Sequence, residues 1–371
     1  MRALHVTAGN LYGGVEIYLK TLAASRSLCP QMEPAFAVCF PGRLCDELRA
    51  TGVLVHDLGP VQARRPWTVA RARRRLSRVL QSSRPDAVVY HMAWTLGLFG
   101  GVARANRRAV VGHMHGPAGG GWVEWLAKRR QPDVLLAPSR HAANTWQPPF
   151  PGTRAEVLNY PLPPHVAADF PERSALRASL GTAADAVVIL QASRIEAWKG
   201  PDRTLRALAR LRDVRGWCLW MAGGPQRPEE KALYEDCKRI AAEAGIGERV
   251  AFLGQRSDVP ALMTAADIYC QGNRGPEGFS LAFLEAAFYG LPIVTTDLGG
   301  AAELVDPSTG ILVPPGEDVT ALSEALLCLI TDANRRSVLG ARGREKAIRL
   351  SDTSQQIRRL ADLLAGVGAP S

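Results

Sequence analysis

The stretch Pro276-Glu277-Gly278-Phe279-Ser280-Leu281-Ala282-Phe283-Leu284-Glu285-Ala286 decides the reading of this chain. It sets two carboxylates eight positions apart, the first in a glycine loop and the second one turn into a helix. That helix runs to Gly290 and is cut off by Pro292. Asp267–Cys270 before it and Ile293–Thr296 after it read as buried strands, the second followed by Gly299 and Gly300. A strand, a glycine loop and a helix N-terminus together make an anion site, because unpaired backbone N–H groups and the helix dipole converge there. Glu285, facing back toward the loop, suits the vicinal hydroxyls of a sugar, and Glu277 suits a second sugar beyond the phosphates. The pattern fits a nucleotide-sugar site.

Strand-like apolar runs recur along the chain with helical stretches between them, the pattern of parallel sheets with crossover helices. In the first half they are Ala3–Thr7, Pro34–Phe40, Val53–Asp57, Asp86–His91, Ala109–Met114 and Asp133–Ala137. In the second half they are Val187–Ala192, Trp217–Ala222, Arg249–Leu253, Ile268–Cys270 and Ile293–Thr296. Between Tyr160 and Pro171 the prolines Pro161, Pro163, Pro164 and Pro171 read as an interdomain linker. A chain of 371 residues exceeds one ordinary core and suits two domains.

Charged residues at 22% and hydrophobic residues at 47% describe a globular protein. No apolar run reaches the roughly 18–20 residues that a membrane span needs. Met1-Arg2-Ala3-Leu4-His5-Val6 reads as a first strand rather than a signal peptide. Cys29, Cys39, Cys45, Cys218, Cys237, Cys270 and Cys328 form no Cys-x-x-Cys pair and lie mostly in apolar stretches. They read as reduced, packed thiols of a cytoplasmic protein, not a zinc site or a disulfide frame.

The net charge of +10 rests on arginine, since only six of the 45 basic residues are lysine, which points to compositional bias as much as to function. One segment stands out. Residues 64–84 hold Arg64, Arg65, Arg71, Arg73, Arg74, Arg75, Arg78 and Arg84, with Trp67, Val69, Leu76, Val79 and Leu80 interleaved at near-helical spacing. This is either an amphipathic surface helix with a solvated arginine face, or a helix that meets an anionic membrane or a phosphorylated acceptor. No nucleic-acid-binding module or aromatic platform accompanies the charge, so nucleic acid is not an expected partner.

Glu277-Gly278-Phe279, five further residues and Glu285-Ala286 resemble the Glu-x7-Glu motif of the family-4 retaining glycosyltransferases. Ser193-Arg194-Ile195-Glu196-Ala197-Trp198-Lys199-Gly200 is similar to that family's Gly-Arg…Lys-Gly stretch, and Gly13-Gly14-Val15-Glu16 to its N-terminal Gly-Gly-x-Glu loop. The resemblance implies the α/β GT-B fold, two Rossmann-like doubly wound domains facing a central cleft. Residues 1–165 would then form the acceptor domain and 166–353 the nucleotide-sugar donor domain, with a last helix in 354–371 returning to the first domain.

Arg194 and Lys199 follow the strand Val187–Ala192 and so sit at its carboxyl end, where doubly wound sheets bind ligands. Cations placed there stabilise the charge that a departing nucleoside diphosphate gains. Each charge-assisted hydrogen bond is worth about 1.5–3 kcal/mol. Glu196, between them, is a candidate for acceptor contact. Gly13 and Gly14 follow the first strand and let the backbone approach a phosphate or a sugar. The dinucleotide fingerprint Gly-x-Gly-x-x-Gly is absent there.

The resemblance also implies an active-site histidine at a strand end of the first domain, and His115, followed by Gly116, matches it better than His113. His91 closes an adjacent strand and reads as packing or as support behind that histidine; His5 and His56 read as structural. A metal at His113 and His115 needs a third ligand that the sequence does not identify, and no metal is expected. By the same resemblance Glu285 takes the ribose, while Gly278, Phe279, Ser280 and Leu281 offer backbone N–H groups to the distal phosphate. Arg256 lies where the family grips the base. Ser280 stands where the family more commonly has glycine, and it also suits a helix cap.

The implied activity is retaining transfer from a nucleotide-diphosphate sugar, UDP-sugar first and GDP-sugar second. The acceptor is a hydroxyl of a glycan, a lipid-linked or a small-molecule acceptor, in polysaccharide or glycoconjugate biosynthesis. Catalysis falls to His115, Glu277, Arg194 and Lys199. No Asp-x-Asp triplet occurs, so no metal or other cofactor is required to hold the diphosphate. A nucleotide-sugar epimerase, a phosphorylase of the same fold and a non-enzymatic nucleotide-sugar-binding protein are the alternatives. The expected location is the cytoplasm, with peripheral membrane contact through residues 64–84.

Overall fold

The computed structural model describes residues 1–162 and 170–367. The chain divides into two compact units, Met1–Pro164 with Ser351–Ser371, and His165–Leu350. Each unit is built on one parallel sheet. In the first, β1 (Arg2–Thr7), β2 (Glu33–Val38), β3 (Leu54–Asp57), β4 (Ala87–His91), β5 (Ala109–His113), β6 (Val134–Ala137) and β7 (Arg154–Val157) lie in the order β3-β2-β1-β4-β5-β6-β7. In the second, β8 (Val187–Ala192), β9 (Trp217–Ala222), β10 (Val250–Gly254), β11 (Ile268–Gln271), β12 (Ile293–Thr296) and β13 (Gly310–Val313) lie in the order β10-β9-β8-β11-β12-β13.

The central strands β4, β5, β11 and β12 are buried at every residue, and the continuous apolar runs of parallel sheets follow from that burial. Strand alternation then sorts the side chains. Leu4, Val6, Val88, Tyr90 and Val110 form one core with Val69, Ala72, Leu76 and Leu80 of the helix Pro66–Ser83. In the second unit Ile189, Leu219, Met221, Ile268 and Val294 pack with Leu205 and Leu208 of the helix Pro201–Ala209. Both strand orders reverse beside the first strand of the unit, between β1 and β4 and between β8 and β11. The carboxyl ends of such a strand pair flank the ligand crevice of a doubly wound sheet.

Two strands were not among those expected from the sequence. β7 reads Arg-Ala-Glu-Val and is an edge strand with no fully buried residue. β13, Gly-Ile-Leu-Val, is four residues at an edge of the second sheet. In β7 the polar residues that an edge strand tolerates on its unpaired side erase the hydrophobic signal, whereas β13 is apolar but short. Of the linker prolines, Pro163 and Pro164 lie outside the described residues. The helix Thr353–Ala365 belongs to the first unit, where Thr353 Oγ1 donates to the Leu162 carbonyl at 2.6 Å. All seven cysteines are free thiols. Among the described residues no helix is long and apolar enough to cross a membrane.

One buried ion pair holds the amino-terminal edge of the second sheet. Asp267, just before β11, accepts from Arg177 Nη2 at 2.6 Å, from Arg173 Nη2 at 2.5 Å and from the Val188 N–H at 2.7 Å. Arg177 is 4% exposed and also donates to the carbonyls of Ala184, Ala186 and Ala265. Arg177→Met keeps the stem but removes these bonds, so it should destabilise the protein by about 3 kcal/mol, a loss expected for breaking a buried pair. Urea unfolding checks this, and a loss below about 1 kcal/mol would contradict the clamp.

Candidate active site

In the second unit the segments leaving β8 and β11 are joined at the backbone. The Trp198 carbonyl accepts from the N–H groups of Arg274 at 2.8 Å and Gly275 at 3.2 Å. Gly200 has φ +61°, and a Cβ there would overlap the Gly272 carbonyl oxygen, so only glycine fits. The preceding residue, Lys199, closes a short 3-10 turn and pairs through Nζ with Glu277 Oε1. Its ammonium also lies 4.1 Å from the centroid of the Trp198 ring.

Glu277 is 6% exposed. Its Oε1 accepts a second bond from Gln271 Nε2 at 2.9 Å, and its carbonyl accepts from Gly300 N at 2.8 Å. Gln271 donates its other amide hydrogen to Asn273 Oδ1 at 2.7 Å, while Tyr269 Oη, which donates to the Ala192 carbonyl at 2.9 Å, lies 3.3 Å from Gln271 Oε1. Two acceptors on one side fix which way this amide points. Arg203 is 1% exposed and donates to the carbonyl of Asn273 at 2.9 Å and to Thr296 Oγ1 at 3.2 Å. These donors stand behind the loop that carries Glu277, and none of Gln271, Tyr269 and Arg203 was singled out from sequence. A signal existed for Arg203, four positions before the buried Ala207 and so on the buried face of its helix.

The other residues of the second unit that the sequence singles out follow. Arg194 Nη2 pairs with Glu196 Oε2 at 3.0 Å, while Arg194 Nη1 is buried without a partner among the described residues. Glu196 is therefore engaged by its neighbour. Ser280 is the N-cap of the helix Leu281–Phe288, its Oγ accepting from the Phe283 N–H at 3.4 Å. Gly278 lies in the loop that leads to this helix, and Phe279 and Leu281 are buried beside the cap. Arg256 is held by Asp258, with Nε–Oδ1 at 2.7 Å and Nη2–Oδ2 at 2.5 Å. Its guanidinium is thus committed within its own loop.

Glu285 is buried in the middle of that helix, and its carboxyl has no hydrogen-bond or ion-pair partner among the described residues. Burial pushes it up to about 7, because the charged form loses water without gaining a donor. A carboxylate left short of donors is suited to receive them from a ligand.

In the first unit Gly13 caps the helix Gly14–Ala24, and its N–H donates to Glu16 Oε2 at 2.9 Å. The four histidines His5, His91, His113 and His115 gather at the β1, β4 and β5 strands with Tyr18 and Tyr160. His5 Nδ1 lies 3.0 Å from His91 Nε2, His91 Nδ1 lies 2.8 Å from His115 Nε2, and His115 Nδ1 lies 2.9 Å from Tyr160 Oη. His91 thus supplies the third ligand type that the sequence did not identify: single ligand atoms of His91, His113 and His115 lie within 4.8 Å of one another. His5, read as structural, joins the same cluster. Register explains the gathering, since His91 pairs directly with His113 across β4 and β5, and His5 pairs with Val89, two residues before His91.

The two sheets and their switch-point sites define an α/β two-domain fold of the GT-B glycosyltransferase type. The solved structure of HepE from Anabaena in complex with UDP-glucose superimposes with a TM-score of 0.85, covering 99% of this chain and 100% of that one at 21% identity. The lipopolysaccharide glycosyltransferase WaaG gives 0.72 at 18% identity, covering 99% and 100%. The family model "Glycosyltransferase Family 4" matches residues 12–163, and "Glycosyl transferases group 1" matches residues 172–346. A GDP-mannose-dependent alpha-(1-6)-phosphatidylinositol monomannoside mannosyltransferase of Mycolicibacterium smegmatis is 32% identical over 79% of this chain and 79% of its own. A D-inositol 3-phosphate glycosyltransferase of Saccharomonospora viridis is 35% identical over 48% of this chain and 43% of its own. The chain belongs to the family-4 glycosyltransferases.

The Glu285 geometry gives a signed pH dependence. Hydroxyl donors select the ionised carboxylate, so a ligand that donates hydroxyls to Glu285 should bind more strongly as pH rises toward about 7, with the gain levelling off above it. Calorimetric titration of a nucleoside diphosphate should show affinity rising by up to about tenfold per pH unit below that point. In Glu285→Gln this component should vanish, whereas the phosphate's own titration persists in both proteins. Equal slopes in the two would show that the nucleotide does not meet Glu285.

Proposed function

We propose that the protein is a retaining hexosyltransferase that moves a sugar from a nucleotide-diphosphate sugar to a hydroxyl of a lipid-linked or glycan acceptor. The observation that carries this reading is the convergence of Lys199, Arg194 and Glu277 on the carboxyl ends of β8 and β11, with an unpartnered guanidinium nitrogen on Arg194. As the glycosidic bond breaks, its electron pair goes to the diphosphate, and these fixed cations stabilise the charge that develops. The acceptor hydroxyl attacks from the face the diphosphate leaves, and the diphosphate takes its proton. Glu277 meets the sugar, and Glu285 holds the ribose. Arg194, Lys199 and the N-terminus of the helix Leu281–Phe288 take the place a divalent metal would fill. The names of the mannosyltransferase relatives support a GDP-sugar ahead of the UDP-sugar that the sequence ranks first.

The test is thermal stabilisation by GDP, UDP and ADP, with and without EDTA, followed by turnover with the matching nucleotide sugar. A ligand at 100 times its Kd adds about 2.7 kcal/mol to stability. The expected result is a shift with GDP that EDTA does not reduce, and turnover lowered about 100-fold or more in Lys199→Ala. A shift with none of the nucleotides would sink the donor site, and loss of the shift in EDTA would sink the metal-free reading.

The names of these relatives also support a lipid acceptor, which requires a visit to the bilayer surface. The helix Pro66–Ser83 buries its apolar face within its own unit and exposes Arg71, Arg74, Arg75, Arg78 and, at its start, Trp67. Its membrane contact is therefore electrostatic, at about 1 kcal/mol per arginine near an anionic surface. Co-sedimentation with phosphatidylglycerol vesicles should fall sharply in high salt and in the Arg71→Glu, Arg74→Glu, Arg78→Glu variant. Unchanged binding in that variant would place the contact elsewhere.

A further inference from the structure

The histidine cluster of the first unit has a structure of its own. His5, His91, His115 and Tyr160 form one unbroken hydrogen-bonded chain with contacts of 3.0, 2.8 and 2.9 Å. Every ring nitrogen in it is engaged except one: His5 Nε2 is buried with no partner among the described residues. A neutral imidazole carries one N–H and one lone pair, so fixing one tautomer fixes all three. The chain has only two polarities. If protons point from Tyr160 toward His5, the chain ends on an N–H at His5 Nε2 with nothing to accept it. If they point from His5 toward Tyr160, it ends on a bare lone pair there, and the Tyr160 hydroxyl can turn to the His115 carbonyl 3.4 Å away. An orphaned buried donor is the rarer and costlier defect.

We infer that the chain runs one way, from His5 Nδ1–H to His91 Nε2, from His91 Nδ1–H to His115 Nε2, and from His115 Nδ1–H to the Tyr160 oxygen. His91 is then a positioning residue that occupies the one lone pair of His115. A substrate hydroxyl that takes the place of the Tyr160 oxygen meets a neutral N–H donor, so His115 donates a hydrogen bond and does not act as a base. This last consequence rests on the proposed glycosyl transfer; the tautomers do not.

The groups that face His115 are His5 from β1, Tyr18 from the helix Gly14–Ala24, His91 from β4, His113 from β5 and Tyr160. Protonation is opposed from all sides. Burial, with the charge of His5 added, lowers His115 to about 3, and burial lowers His5 likewise to about 3. A divalent ion on the same nitrogens would break the 2.8 Å bond between His91 and His115 and sit among neutral rings. Without an anionic ligand that burial is costly.

The test is long-range ¹H–¹⁵N correlation spectroscopy of the full chain labelled with ¹⁵N-histidine, which separates Nδ1–H, Nε2–H, cationic and metal-bound rings. At neutral pH His5, His91 and His115 should all read as Nδ1–H tautomers. In His91→Asn the side-chain amide still donates, so His115 should keep its tautomer and most of its activity. In His91→Asp the new acceptor should pull the proton to Nε2 or charge the ring, with turnover falling on the order of 100-fold. If His91→Asp does not fold, the wild type and His91→Asn decide. An Nε2–H or cationic His115 in the wild type, the same His115 tautomer in both variants, or one bound metal ion per chain with shifted nitrogens would overturn the inference. Correct tautomers without turnover on any nucleotide sugar would instead count against the proposed function.

Discussion

Gly200 approaches the Gly272 carbonyl so closely that no Cβ fits between them, and the charged site of the second unit is arranged around that contact. Its left-handed φ of +61° turns the chain from the 3-10 segment Ala197–Lys199 directly into the helix Pro201–Ala209. One residue earlier stands Lys199, and three residues later stands Arg203. The first reaches Glu277 and the second grips the backbone that leads to Glu277. A single steric permission thus positions a cation and its supporting arginine together. Gly299 does the same from the other side, at φ +69° against the Glu277 backbone.

The central strands and both glycine-helix turns were legible because burial on two faces leaves a continuous apolar run, and because glycine marks a backbone position by its type alone. β7 was hidden because its edge position admits arginine and glutamate, and β13 because its apolar run, Ile311-Leu312-Val313, is short. The fold class and the family could be read from three motifs. What could not be read is who stands behind the motif residues. Gln271 is a polar residue at the end of a buried strand, and nothing in the local spacing says that its amide meets Glu277 six positions later. The histidines show the same limit. His113 closes β5 and His115 follows two residues later, so their nearness is local, but His91 joins them only through the register of β4 on β5, which is non-local.

The two polar clusters answer burial in different ways. Behind Glu277 one carboxylate oxygen and the carbonyl are met by donors, Lys199 and Gln271 on Oε1 and Gly300 on the carbonyl, so the carboxylate is held in one orientation. In the first unit charge is excluded, and the histidines satisfy one another as neutral rings. His113 is the exception, fully buried with neither nitrogen partnered among the described residues, its ring stacked 4.1 Å from His115 and edge-on to Tyr18 at 5.0 Å. It contributes shape to the cluster and no hydrogen bond.

Neutrality by burial also sets how each cluster responds to acid, and the signs differ. The histidines have folded values below the ordinary 6.5, at about 3 for His5 and His115. As pH falls below 6.5 the unfolded chain takes up protons that the folded chain refuses, so their contribution to stability is complete above 6.5 and is lost toward 3. Glu285 runs the other way. Its folded value of about 7 lies above the ordinary 4.5, so the stability it contributes as a neutral acid is complete below 4.5 and gone above about 7. In the window between, mild acid favours the folded form through Glu285 and disfavours it through the histidines. Near pH 7 the histidines are at full benefit while Glu285 stands half ionised, short of donors, in the state that a ligand's hydroxyls would stabilise.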